Sequence, residues 1–160
     1  MTATLITRIR YRVHIRWMIR RDLPALAVIE DALFPDSWGD EDFIAALRQR
    51  NAIGMVAEVN EQILGGMVYS LHKHRLDLLR LAVHPDQRRG GVGTQMVQKL
   101  IGKLASHRRT AITAAVPETS LDALLFLRAL GFKAERVERG GSGEPDVIHL
   151  AWHLRDEEEL

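Results

Sequence analysis

The chain has 160 residues, a length that suits one domain with one core, and 46% of them are hydrophobic, so a sizeable core can form. Its net charge is only +1 at pH 7, which gives no bulk attraction to nucleic acid or to a membrane surface. The absence of cysteine excludes disulfides, a cysteine nucleophile and thiolate metal sites.

The chain opens on a basic stretch, residues 1–12, and Arg8, Arg10, Arg12, Arg16, Arg20 and Arg21 crowd this end. It reads as a solvated extension, with an RNA- or ribosome-facing arm as the sharper alternative. The start has no uninterrupted apolar segment of the secretory kind, and no stretch approaches the roughly 18 apolar residues of a membrane span, so a soluble cytoplasmic protein is expected. Val13, Ile15, Trp17 and Ile19 alternate with His14, Arg16, Met18 and Arg20, which predicts a half-buried strand. Asp22 then starts a helix with Pro24 in its first turn and Leu23, Leu26, Ile29 and Leu33 near helical spacing. Phe34 to Gly39 is a loop, and Asp40, Glu41 and Asp42 open a second helix carrying Phe43, Ile44 and Leu47.

Ile53 to Glu58 reads as a strand, Asn60-Glu61 as its turn, and Ile63 to Leu71 as the next strand, in which Gly65 and Gly66 predict a bulge or a close backbone approach. After the basic turn His72 to Arg75, Leu76 to Val83 is a continuous apolar strand of the kind covered on both faces. Val92, Met96, Val97, Leu100, Ile101 and Leu104 mark an amphipathic helix, and Ala111 to Val116 is a short strand. Thr119 or Ser120 caps a helix bearing Leu121, Leu124, Leu125 and Leu127, which ends at a left-handed Gly131 with Phe132 tucked behind. Phe132 to Arg139 and Val147 to Leu154 are the last strands, joined by a glycine-rich loop. The acidic tail, residues 155–160, follows.

The most informative segment joins the apolar strand to the amphipathic helix: Val83-His84-Pro85-Asp86-Gln87-Arg88-Arg89-Gly90-Gly91-Val92-Gly93-Thr94. A basic, glycine-rich turn opening a helix gathers main-chain N–H groups and the positive end of the helix dipole, a setting for a phosphate or pyrophosphate. A P-loop requires Lys after its last glycine, where Thr94 stands. A dinucleotide fingerprint requires a third glycine where Met96 stands. The remaining pattern, Arg88-x-x-Gly91-x-Gly93, closely resembles the acetyl-CoA signature of the GNAT acetyltransferase superfamily.

The element order resembles the same family over Val13 to Leu154, which sets the domain at 13–154. It implies an α/β (α+β) fold: a central mixed, mostly antiparallel twisted sheet, splayed between its middle strands, with helices on both faces. Ile15-Arg16-x-Met18 leading to Asp22-Leu23-Pro24, the Phe34-Pro35-x-x-Trp38-x-x-Glu41-x-Phe43 segment, Ala129-Leu130-Gly131-Phe132 and Asp146-Val147-Ile148 resemble the ribosomal-protein N-terminal (alanine) acetyltransferase branch.

The resemblance implies acetyl-CoA as cosubstrate. Its pyrophosphate would lie on the amides of Arg89, Gly90, Gly91, Val92, Gly93 and Thr94, with Arg88 or Arg89 pairing a phosphate oxygen. Its pantetheine arm would pair with the main chain of Leu81, Ala82 and Val83, and the Val83 N–H would polarise the thioester carbonyl. Ser120 takes the place of an asparagine that the family carries at the start of its penultimate helix. A protein N-terminus, with a pKa of about 8, needs less help to lose its proton than a lysine at about 10.4. Candidate bases are Asp77, where some members carry a catalytic glutamate, and Glu118 at the end of the following strand, acting through water.

Two departures from the family stand out. Leu127 replaces the tyrosine that commonly protonates the leaving thiolate, and Ala115 replaces the branch's glutamate. Tyr69 is a possible substitute donor, though an aromatic packed in the sheet is the plainer reading. Acidic residues Glu30, Asp31, Asp36, Asp40, Glu41 and Asp42 either attract a cationic amine or complement a helix N-terminus. Phe34 and Trp38 either wall the acceptor or pack in the core. His72-Lys73-His74 makes a poor metal site, and no metal is expected.

The leading expectation is an acetyl-CoA-dependent N-acetyltransferase for a primary amine, a protein N-terminal α-amine foremost, by direct transfer in a ternary complex. Small-amine acetylation of a polyamine or aminoglycoside-like substrate, and a catalytically weak acyl-CoA-binding module, are the alternatives. Neither membrane nor nucleic acid is an expected partner, and the protein is expected to be a monomer or homodimer.

Overall fold

The computed structural model describes residues 12–85, 90–106 and 108–154. The basic extension up to residue 11, the acidic tail 155–160, and residues 86–89 with Arg88 and Arg89 lie outside them. The elements are β1 (His14–Trp17), a 3-10 turn (Arg20–Asp22), α1 (Leu23–Leu33), α2 (Asp40–Leu47), β2 (Ala52–Val59), β3 (Gln62–Leu71), β4 (Arg75–Val83), α3 (Val92–Ser106), β5 (Ala111–Pro117), α4 (Leu121–Ala129), β6 (Lys133–Glu138) and β7 (Val147–His153). The strands form one sheet in the order β1-β2-β3-β4-β5-β7-β6, in which only β4 and β5 run parallel.

Two apolar layers sandwich this sheet. On one face Val92, Met96, Val97, Leu100 and Leu104 of α3 and Leu127 of α4 meet Met67, Tyr69, Leu76, Leu78, Ile112 and Leu150. On the other, Leu23, Leu26 and Ile29 of α1 and Phe43 of α2 meet Val56, Val68 and Ala82. β4 is less covered than its apolar run predicts: Leu76, Leu78 and Ala82 are buried, but Leu79 is 49% exposed and Asp77 and Arg80 interrupt the run.

The turn signals act as expected. Gly131 adopts φ 100°, its N–H donates to the Arg128 carbonyl, and the Phe132 N–H donates to the Leu127 carbonyl at 3.0 Å, which stops α4 and buries the Phe132 ring. Gly65 and Gly66 answer to both readings. Ala57 faces Gly65 while Glu58 faces Ile63, so β3 bulges at Leu64, and a Cβ on Gly66 would stand 2.5 Å from Leu26 Cδ2. α1 therefore rests directly on the β3 backbone.

The first strand is shorter than its alternation predicts. It stops at Trp17, which is 72% exposed, and Ile19 is 44% exposed. Asp22 explains the early end. Its carboxylate receives both Arg16 Nη1 and Nη2 and the Ile19 N–H, each at 2.8 Å, and so pulls the chain into the 3-10 turn. These bonds outweigh the burial that would push the Asp22 carboxyl up. The net shift lies below its ordinary value, with the Arg16 hydrogen bonds as the largest cause.

Candidate active site

β4 is opened from within. Val68 faces Arg80 and Tyr69 faces Leu78, so Leu79 has no opposite number and forms a bulge that kinks the strand. The ladder to β5 runs only from Arg75–Ala111 to Leu78–Ala114. From Leu79 onward β4 and β5 part, and the main chain of Leu79 to Val83 presents unpaired N–H and C=O groups to the gap, a template for another extended chain. Leu81 and Val83 lean toward the α3 layer and Ala82 toward the α1 layer.

The glycine turn meets this open strand. Gly91 adopts φ 78°, a left-handed conformation that side chains disfavour, and its carbonyl accepts the Gln95 N–H at 3.0 Å as the first bond of α3. The N–H groups of Val92, Gly93 and Thr94 therefore head the helix with no partner inside it. Gln95 fixes the turn: its Nε2 donates to the Gly91 carbonyl and its Oε1 accepts the Val13 N–H, both at 3.2 Å. A Cβ on Gly93 would sit 3.1 Å from the Phe126 ring and 3.3 Å from Val83, so the helix start is pressed against both α4 and β4. Of the anticipated cofactor residues, Leu81, Ala82, Val83, Gly90, Gly91, Val92, Gly93 and Thr94 thus meet at one strand-to-helix junction. Ser120 stands apart, after β5, as the N-cap position of α4, and its side chain makes no cap bond. Anions fit this junction: three amides without a partner among the described residues and a helix dipole converge there.

The two candidate carboxylates occupy opposite ends of the splay. Glu118 is exposed in the turn after β5, where the gap is wide. Asp77 lies at the closed end, opposite Thr113 in the last paired stretch. Its Oδ1 accepts from Thr113 Oγ1 and from Arg75 Nε at 2.9 Å, and its Oδ2 lies 2.9 Å from His72 Nε2. Partial burial pushes the Asp77 carboxyl up, but the Thr113 and Arg75 hydrogen bonds and the charges of Arg75 and His72 prevail, and it lies below its ordinary value. Ser70 Oγ also meets His72 Nε2, at 3.0 Å, so Ser70 and Asp77 share one ring nitrogen rather than flanking the ring as a serine-hydrolase triad would.

Leu127 is 3% exposed within the α3–α4 layer, and Ala115 is exposed in the gap. Tyr69 is 1% exposed in the same α3 layer, and burial raises its phenol above the ordinary value, so the plainer reading of it as a packed aromatic fits. On β7, His153 pairs with Glu135 at 2.5 Å, while the buried Nε2 of His149 has no hydrogen-bond partner.

On the α1 face an ion pair unread in the sequence dominates. Glu30 is 0% exposed and Arg80, immediately after the bulge, grips it through Nη2 at 2.5 Å and Nε at 2.9 Å. The guanidinium lies 4.2 Å from the Phe34 ring centre and 5.2 Å from that of Trp38, and it donates to the Asp36 carbonyl at 3.3 Å. Trp38 in turn meets Phe43 edge-on at 5.2 Å. Glu30 is thus committed to Arg80, Asp31 to Ser37, and Asp42 to the Gly39 N–H at the α2 start, leaving Asp36, Asp40 and Glu41 exposed. Phe34 and Trp38 pack against the α1 core while staying half exposed.

Comparison with known proteins agrees with this geometry. The chain is 22% identical over 134 residues to the ribosomal protein bS18-alanine N-acetyltransferase of Salmonella typhimurium, covering 81% of this chain and 90% of that one. It superimposes on the crystal structure of the ribosomal-protein alanine N-acetyltransferase of Escherichia coli with a TM-score of 0.78 at 22% identity, over 92% and 98% of the two chains. An aminoglycoside 6'-N-acetyltransferase complexed with coenzyme A gives 0.75 at 16% identity, over 90% and 98%. The profile of the Acetyltransferase (GNAT) family matches residues 23–132, more than half of the chain, and the chain belongs to that acetyltransferase family.

Proposed function

We propose that the chain transfers acetyl from acetyl-CoA to a protein N-terminal α-amine, directly and within a ternary complex. The observation that carries this reading is the free main-chain edge of β4 running from the Leu79 bulge into the three amides that head α3. The pantetheine arm would add to the edge at Leu81, Ala82 and Val83. The pyrophosphate would rest on Gly90 to Thr94, with Arg88, Arg89 and Ser120 as further contacts. An N–H at Val83 aimed at the thioester oxygen would stabilise charge as it develops there.

The acceptor would enter from the α1 face, between the Phe34–Gly39 loop and the wide end of the gap. Asp36, Asp40 and Glu41 on the loop side and Glu118 at the mouth give the approaching ammonium a negative field. Asp77 sits deeper, with its carboxylate already held by three neighbours. With Leu127 apolar, the tyrosine hydroxyl that would protonate the leaving sulfur is missing. A thiol's ordinary pKa of about 8.5 makes thiolate a tolerable leaving group without one. The alanine N-acetyltransferase relatives favour a protein acceptor, and a cytoplasmic monomer or homodimer fits it.

The test pairs calorimetry with an acceptor panel. Acetyl-CoA binding, followed by acetylation of peptides with free but not blocked N-termini, is the expected result. Acetylation of polyamines or aminoglycosides alone would transfer the assignment to small amines. Binding without turnover on any amine would leave an acyl-CoA-binding module, and no binding would overturn the reading.

A further inference from the structure

The sheet ends on a strand that is left open. β6 is last in the strand order and, among the described residues, pairs only with β7. All six of its residues, Lys133 to Glu138, are exposed, and neither proline nor glycine interrupts it. Its outer row of N–H and C=O groups is a template for another strand. Charged side chains ordinarily protect such an edge, as does a bulge, and β6 has one at Glu135, between the Ala134–Leu150 and Arg136–His149 pairs. The charges beyond that bulge are arranged to attract a copy of themselves.

Two copies that pair edge to edge and antiparallel are related by a two-fold axis, which passes where one residue faces its own counterpart. Centred on Val137, the pairing sets Arg136 opposite Glu138 of the second copy, and Glu138 opposite Arg136. Centred on Lys133, Glu135, Arg136 or Glu138, it would set like charges against each other at the axis, and Ala134 lies across the bulge. Cross-strand partners must share a face of the sheet, and these do. Arg136 Nη2 stands 3.5 Å from His149 Nδ1 and Glu138 Oε2 stands 3.7 Å from His149 Nε2, so both side chains lie on the His149 face. Both contacts are long, which leaves the two charges able to turn to a stronger partner. Val137 lies on the other face. It is opposite Ile148, which packs against the α3–α4 layer, yet it is 55% exposed. On the same side, Leu121 and Leu125 of α4 are exposed and fall with Arg128 on one strip of the helix, at i, i+4 and i+7. Arg128 lines a groove of about 650 Å³ between α4 and β6, together with Leu124, Ala134 and Ile148.

We propose that β6 is a dimer interface, to which a second copy of this chain adds its own β6, antiparallel and centred on Val137, so that the two sheets join into one. The inference stands on the edge and its charges and is independent of the acetyl-transfer reading. Main-chain hydrogen bonds of the new ladder supply attraction, and the doubled Arg136–Glu138 pairs fix the register. The two-fold axis keeps both α4 helices, with their exposed leucines, on one side of the joined sheet.

The chain has no cysteine, so single cysteines report the register. The experiment oxidises Val137→Cys and Lys133→Cys at equal concentration and reads cross-linked chain on a non-reducing gel, beside sedimentation of the wild type. Facing residues of an antiparallel pair have Cα atoms about 4.5–5.5 Å apart, within disulfide reach, whereas Lys133 would lie on the order of 25 Å from its counterpart. The expected wild-type mass rises with concentration from 18.1 kDa to twice that value, and Val137→Cys cross-links far more than Lys133→Cys. Arg136→Glu and Glu138→Arg should each weaken association about 10-fold or more, because symmetry meets every reversed charge twice, and the double reversal should restore it. Circular dichroism checks that each variant is folded. A wild type that keeps the mass of one chain up to about 300 µM would overturn the inference. So would a dimer indifferent to both single reversals, or equal cross-linking of the two cysteines, since either places the contact elsewhere.

Discussion

Replacing Arg80 with methionine tests how the α1 layer is tied to the kinked strand. Methionine roughly retains the aliphatic stem and removes the guanidinium, which leaves Glu30, 0% exposed, with only the Trp38 N–H at 3.3 Å. Breaking a buried pair by removing one partner costs about 3–5 kcal/mol, because the orphaned charge stays out of water. In a chain of this size that lowers the melting midpoint by roughly 6–20 °C. The complementary Glu30→Met change should cost less, since Arg80, at 15% side-chain exposure, can turn toward solvent. The double variant should be clearly more stable than the two single losses combined predict, because an apolar pair of similar volume is often close to neutral. Urea titration of all four proteins, followed by tryptophan fluorescence, reads the cycle. An Arg80→Met loss below about 1 kcal/mol, or strict additivity in the double variant, would refute the reasoning. Activity supplies a second reading. A freed Phe34–Gly39 loop should raise KM for the amine and leave acetyl-CoA affinity nearly unchanged.

Gly91→Ala places a side chain at φ 78° and should cost about 1–2 kcal/mol, with weakened acetyl-CoA binding by calorimetry as the turn relaxes. Gly66→Ala drives a Cβ to within 2.5 Å of the Leu26 side chain and should destabilise by about 1–3 kcal/mol in urea, because α1 must lift from β3. Asp22 is held below its ordinary value by Arg16, so its stabilising effect is complete above about pH 4 and is lost as pH falls through the lowered folded-state value. The stability gap between wild type and Asp22→Asn should therefore be constant from neutrality to about pH 5 and shrink in stronger acid.

Elements defined by local rules were legible in the sequence. The α4 stop needed only Gly131 and Phe132, and the α1 start showed in Pro24 in its first turn, because these signals act within one turn. The first strand was misjudged for the opposite reason. Alternation from Val13 to Arg20 satisfies a strand locally, yet the carboxylate that ends it belongs to Asp22, and the strand lies at the sheet edge, where Trp17 stays 72% exposed. The Leu79 bulge was hidden by the sequence of β4 itself. Leu78, Leu79 and Leu81 are apolar in either register, so the inserted Leu79 breaks no pattern.

The acidic residues of the α1–α2 segment show the same limit in electrostatic form. On the page Glu30 looks like its neighbours, a carboxylate free to meet an amine. Its partner lies 50 positions later, on a strand that reads as wholly apolar apart from Asp77 and Arg80. Those two polar residues are the only interruptions between Leu76 and Val83, and each has a physical reason to be there. Arg80 follows the bulge and faces α1, where a buried carboxylate and two aromatic rings receive it. Asp77 precedes the bulge and faces the same side, where the β3–β4 turn folds His72 back to within hydrogen-bond reach. A charge in an inner strand of a sheet carries a desolvation penalty of several kcal/mol unless it is paired, so each such residue predicts a partner even before the partner is known. In β4 those residues are Asp77 and Arg80, and only the tertiary fold supplies His72 and Glu30 as their partners.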